Sequence, residues 1–220
     1  MATIEDKEIV SGLERARAVR ARTLEMLEGL SQEQMNRRPT HGSWLDGEKG
    51  KWSLGEHADH ILRVEDHMRT EIIGKLIEMS ASNSRPYLRK TLAEIRLIST
   101  LIPRPLQGPA EVFFQLSNKV SRFVVPRWVV EQLFRHTRFP ATTPEPWQPR
   151  AGRPRDELLA ELTTSLDLMD EMFGKVPGAD YQHMVFEHTV VGRHTVPQLL
   201  RIISIHEEWH QDRITELLKA

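Results

Sequence analysis

Two imidazoles stand four positions apart in His206-Glu207-Glu208-Trp209-His210. At about 100° per residue, positions four apart lie nearly one above the other on a helix, so both rings can aim at one point. Neutral imidazole is a common metal ligand, and the pair reads as two ligands of one site. A single histidine on an apolar face is more simply a core residue with hydrogen-bonded ring nitrogens; the repeat at this spacing is what favours metal. The string also satisfies H-E-x-x-H, the zinc-protease pattern in which the glutamate, here Glu207, is the general base. The extended pattern needs a glycine and a third histidine downstream, and the sequence has neither after His210. A third ligand has to be sought upstream.

The helix that must carry this pair is well marked. Thr195-Val196-Pro197-Gln198 predicts a capped start, with proline in the first turn where no amide donor is missed. Leu199, Ile202, Ile203, His206, His210, Ile214 and Leu217 then recur at helical spacing, which puts both histidines on the apolar stripe. A second capping box, Ser53-Leu54-Gly55-Glu56, opens a helix to about Glu78 with Leu54, Ala58, Ile61, Val64, Met68, Ile72 and Leu76 on its apolar face. Three histidines ride on that helix. His57 lies near the middle of the stripe, while His60 and His67 lie toward one edge, and spacing alone leaves the third ligand open.

Two more helices complete the set. Ile9, Leu13, Ala16, Leu24 and Leu27 predict one from about Glu5 to Leu30, stopping at Gly29, and a polar connection follows from Ser31 to Lys51. Leu159, Leu162, Leu166, Met169 and Phe173 predict another over Asp156 to Phe173, stopping at Gly174. A loop at Glu187 to Gly192 leads into the last helix. Four long amphipathic helices with almost no alternating pattern predict an all-α four-helix bundle, a fold that builds metal sites from facing helices. A di-iron arrangement is disfavoured, because no glutamate stands three residues before His57, His60 or His67.

Between the second and third bundle helices the texture changes. Residues 81–150 hold eleven Lys or Arg against four Glu, a net charge of +7 within a chain whose formal total is -1. Helical stretches are predicted at Tyr87 to Leu101 and Glu111 to Arg135, the second kinked at Pro126, followed by a proline-rich linker. This basic helical insertion, at about 80–150 of one domain spanning 1–220, is either a lid that draws an anionic substrate or an arm that packs on a partner.

Composition narrows the chemistry. Cysteine is absent, so a thiol nucleophile and Cys-ligated zinc are excluded, and a metal here must use His, Asp or Glu. Hydrophobic residues make up 39% and charged residues 28%, ordinary for a globular protein, and the formal net charge of -1 gives no overall pull toward nucleic acid. No apolar run approaches the roughly 18 residues of a membrane span, and the acidic start is unlike a signal peptide; the expectation is a cytoplasmic protein.

Three blocks in order resemble the DinB/YfiT-like superfamily of four-helix bundles. They are Lys51-Trp52-Ser53-Leu54-Gly55-Glu56 with His60-Ile61-Leu62, then His188-Thr189-Val190-Val191-Gly192-Arg193-His194-Thr195-Val196, then His206 to Gln211. The resemblance extends to 156–173 but not clearly to 80–150. It implies a metal triad of His60, His206 and His210, with His57 as second choice, and a long crossover between the second and third bundle helices. Three neutral imidazoles would leave a position open for water or substrate, as in catalytic sites. A divalent metal ion is implied, zinc or nickel foremost, with a low-molecular-weight thiol as co-substrate and a small molecule as substrate. The leading expectation is a thiol S-transferase-like enzyme. The alternatives are a hydrolase using a metal-bound water, with Glu207 or Glu56 as base, and a metal-binding stress protein without turnover. Homodimer formation through Phe113, Phe114, Trp128 and Val129 is also expected.

Overall fold

The computed structural model describes residues 6–39, 51–82, 143, 145–176, 179–188 and 192–219. Helix α1 runs Lys7–Glu28 and starts where the Asp6 carboxylate accepts from the backbone N–H groups of Glu8 and Ile9. A five-residue helix α2, Gln32–Asn36, follows, closed by a capping box between Ser31 and Gln34. Helix α3 is Leu54–Ser82, α4 is Arg155–Lys175 and α5 is Val196–Lys219. A short 3-10 turn, Glu145–Trp147, leads back from the crossover toward α4. No helix among the described residues is long and apolar enough to cross a membrane.

The four long helices close a ring: α1 packs on α5 and α4, and α3 packs on the same two. Helices α1 and α5 approach closely at Gly12, where a Cβ would sit 2.9 Å from the Cβ of Leu200. The bundle is the one the apolar spacing predicts, with helix ends shifted by a few residues. Two differences arise from elements too short for periodicity to show. The predicted connection after α1 contains α2, and the predicted loop before α5 contains an antiparallel hairpin, β1 Val185–His188 with β2 Gly192–Thr195. Helix α4 also runs one residue past Gly174 before ending at Lys175.

The interior is two apolar clusters rather than one. Ile9, Leu13, Met68, Ile72, Met169, Phe173, Leu199 and Ile203 fill one end. Leu27, Met35, Leu54, Ile61, Leu158, Leu162 and Ile214 fill the other. Between them in sequence on each helix lie buried polar side chains: Arg20 and Thr23 on α1, Glu65 on α3, Ser165 on α4, and Glu207, His210 and Gln211 on α5. Buried polar groups are tolerated where they bond one another, and this belt holds the candidate chemistry.

Candidate metal centre

The Ser53 to Glu56 capping box fixes the first turn of α3: the Ser53 N–H donates to Glu56 Oε2 at 2.8 Å, and the Glu56 N–H donates to Ser53 Oγ at 3.2 Å. One turn on, His57 and His60 are buried and face α5. Across the gap, His60 Nε2 lies 3.2 Å from His206 Nε2, which lies 3.2 Å from His210 Nε2. Ligand atoms of these three histidines all fall within 4.8 Å of one another. Two nitrogens each about 2.0–2.1 Å from one zinc at a near-tetrahedral angle would lie about 3.3 Å apart, so the spacing suits such an ion.

The proton inventory points the same way. His60 Nδ1 lies 2.6 Å from the Trp147 carbonyl oxygen, which can only accept, so Nδ1 carries the hydrogen and Nε2 of the neutral ring is bare. His206 Nε2 faces two other Nε2 atoms and has at most one proton to share between them. A focus of lone pairs this poor in protons fits a cation, and the donor set of three imidazoles fits a divalent metal. The Trp52 ring covers the group, with its centroid 4.8 Å from that of His60 and its plane 12° from that of His210. His57, the remaining candidate, places Nδ1 at 2.8 Å from His210 Nδ1, on the ring edge away from the convergent nitrogens. His67 stands apart, half-buried against the Trp147 ring, with Nε2 3.4 Å from Glu71.

The two carboxylates named as candidate bases are held elsewhere. Glu207 accepts from Arg20 Nε at 2.7 Å and from Thr23 Oγ1 at 2.6 Å on Oε1, and from an Arg20 terminal nitrogen at 3.1 Å on Oε2. It faces α1. Glu56 spends Oε2 on the cap and Oε1 on Arg38.

Sequence reasoning missed Arg20 and Glu65, and a signal for them existed. Arg20 lies four after Ala16 and seven before Leu27, and Glu65 lies four after Ile61 and three before Met68, so both are charges at apolar-stripe positions. Arg20 reaches every long helix. Besides Glu207 on α5 it donates to Glu65 on α3 at 2.7 Å, and on α4 to the Leu162 carbonyl at 2.8 Å and Ser165 Oγ at 2.6 Å. Two carboxylates share this one guanidinium. Glu207 takes the two-pronged contact, while Glu65 Oε1 has no hydrogen-bond partner among the described residues, and burial pushes the Glu65 carboxyl above the ordinary carboxylate range.

Asp59 was also missed. It is fully buried, and it ties the returning crossover to α3 by accepting from the Arg150 backbone N–H at 2.7 Å, the Arg150 guanidinium at 3.0 Å and Arg153 at 2.9 Å. Arg63 donates to the Pro146 carbonyl at 3.0 Å. The predicted helices of the insertion, the Pro126 kink and the dimer surface at Phe113, Phe114, Trp128 and Val129 lie outside the described residues.

No curated protein and no solved structure matches the chain. The family model of the DinB superfamily matches residues 15–214, a span that includes the Trp52 to His60 block and both histidines of α5. On that match, over most of its length, the chain belongs to the DinB superfamily.

Proposed function

We propose that the protein is a metal-dependent enzyme whose divalent ion, zinc or nickel, is held by His60, His206 and His210, and that it works on a low-molecular-weight thiol as a thiol S-transferase. The observation that carries the reading is the convergence of three imidazole nitrogens within 4.8 Å of one another, with His60 Nε2 left bare by the hydrogen on its Nδ1. A divalent ion bound there supplies Lewis acidity, lowering the pKa of a coordinated thiol or water. The chain's own residues do the rest. Trp147 fixes the His60 tautomer through its carbonyl, and Trp52 walls the group from solvent on one side. With no cysteine in the chain, any sulfur nucleophile comes from a small molecule.

A hydrolase would need a general base beside the ion. Glu207 and Glu56 have both oxygens committed to Arg20, Thr23, Arg38 and the Ser53 cap, which favours the thiol reading over that alternative. The test is elemental analysis of purified wild type and His206→Ala, paired with a thiol-plus-electrophile assay and a panel of esters and amides. Stoichiometric metal lost in His206→Ala, with turnover only in the thiol assay, is the expected result. Metal retained by His206→Ala would remove the site, and ester or amide turnover would replace the transferase with a hydrolase.

A further inference from the structure

His57 lies outside the three convergent nitrogens, yet its ring touches the innermost of the three histidines. Both rings are buried, and the two Nδ1 atoms are 2.8 Å apart. At that distance one nitrogen must carry a hydrogen and the other a lone pair, since two hydrogens clash and two lone pairs repel. The two assignments have opposite consequences at the far side of His210. A hydrogen on His57 Nδ1 leaves neutral His210 with its own hydrogen on Nε2, aimed into the group and useless to a cation. A hydrogen on His210 Nδ1 leaves Nε2 bare, facing His206 Nε2.

We propose that His57 is the positioning residue of the centre: its Nδ1 accepts the Nδ1–H of His210 and so presents the Nε2 lone pair of His210 to a metal ion. The proposal rests on the reading of His60, His206 and His210 as ligands. Metal-binding histidines commonly donate their other N–H to an acceptor, which fixes the tautomer, orients the ring and raises its basicity. The Trp147 carbonyl already does this for His60. His57 does it for His210 from one turn earlier on α3, where its backbone N–H is pinned to the Ser53 carbonyl at 3.0 Å and the Trp52 ring packs edge-on against the imidazole. The contact edge also argues against His57 as a ligand, because its Nδ1 meets His210 at Nδ1 rather than at the Nε2 that faces His206.

The experiment titrates apoprotein with zinc against a chromophoric chelator, and records cobalt(II) absorption spectra, for wild type, His57→Leu, His57→Asn and His206→Ala. Leu has no acceptor, whereas the Asn Oδ1 sits where Nδ1 was. His57→Leu should bind zinc about 10- to 100-fold more weakly. His57→Asn should recover near wild-type affinity and keep the wild-type cobalt bands. Wild-type affinity in a folded His57→Leu, judged by circular dichroism, overturns the proposal. So does an Asn variant as weak as Leu with shifted cobalt bands, which would make His57 a ligand. If His57→Leu does not fold, the Asn variant decides alone, and a tenfold loss in it counts against the idea. Zinc retained by His206→Ala strikes the triad itself rather than the role of His57.

Discussion

Glu65 and Glu207 differ in what a single neutralised oxygen should do. Every oxygen of Glu207 accepts from a cation or a hydroxyl, so Glu207→Gln turns an NH2 group toward a donor and should cost about 3 kcal/mol in urea unfolding. Glu65 has one oxygen without a hydrogen-bond partner among the described residues, and burial raises its carboxyl pKa above the ordinary 4.5. A raised folded pKa means that the folded chain binds more protons than the unfolded one, so this contribution to stability is complete below pH 4.5 and is lost as pH rises through the folded value. Glu65→Gln should therefore flatten the fall of stability above pH 4.5; a pH series of unfolding curves that declines as steeply as wild type would contradict the assignment. The candidate pair His206 and His210 was readable because identical residues four apart announce themselves. The third histidine was not, since three candidates share α3 and angles alone do not rank them; the family resemblance singled out His60. Arg20, Glu65 and Asp59 stayed hidden because a charge within a helix reads as part of its solvated face until a partner is seen.

At the level of elements, one stretch of α3 grips the chain returning from the crossover. Asp59, His60 and Arg63 hold Arg150, Trp147 and Pro146 respectively, so the segment that fixes the His60 tautomer is itself anchored next door. Asp59→Asn removes charge-assisted bonds worth about 1.5–3 kcal/mol each. Amide hydrogen exchange across 145–153 should speed up tenfold or more, while exchange in the middle of α1 stays unchanged. Equal protection in both proteins would show that the clamp is idle. Periodicity and caps predicted the four long helices, since each buries a stripe long enough to repeat. It did not predict α2 or the hairpin, whose five and four residues complete at most about one helical turn or two alternations.

For the molecule as a whole, a ligand that binds only the folded state stabilises it by RT ln(1 + [L]/Kd), about 2.7 kcal/mol at a hundredfold excess over Kd. At about 2–4 °C per kcal/mol for a chain of this size, saturating zinc should raise Tm by about 5–10 °C over chelator-treated protein. Differential scanning calorimetry on wild type and His206→Ala reads this directly, and equal shifts in both would place the ion elsewhere. The bundle architecture followed from composition and stripe; the division of its core into two apolar clusters did not, because that division is made by side chains from four helices that meet only after folding.

The reach of Arg20 bears on how the helices slide along one another. Its guanidinium touches α3, α4 and α5 at once, and one helical turn is about 5.4 Å, far more than a hydrogen bond can stretch. A bundle closing one turn out of step would bury a carboxylate with no cation, costing about 3–5 kcal/mol, and such misaligned packings would be suppressed roughly a hundred- to several thousandfold. Arg20 thus works as an alignment pin: it sets the heights of α3 and α5, and with them whether His60 ever meets His206 and His210.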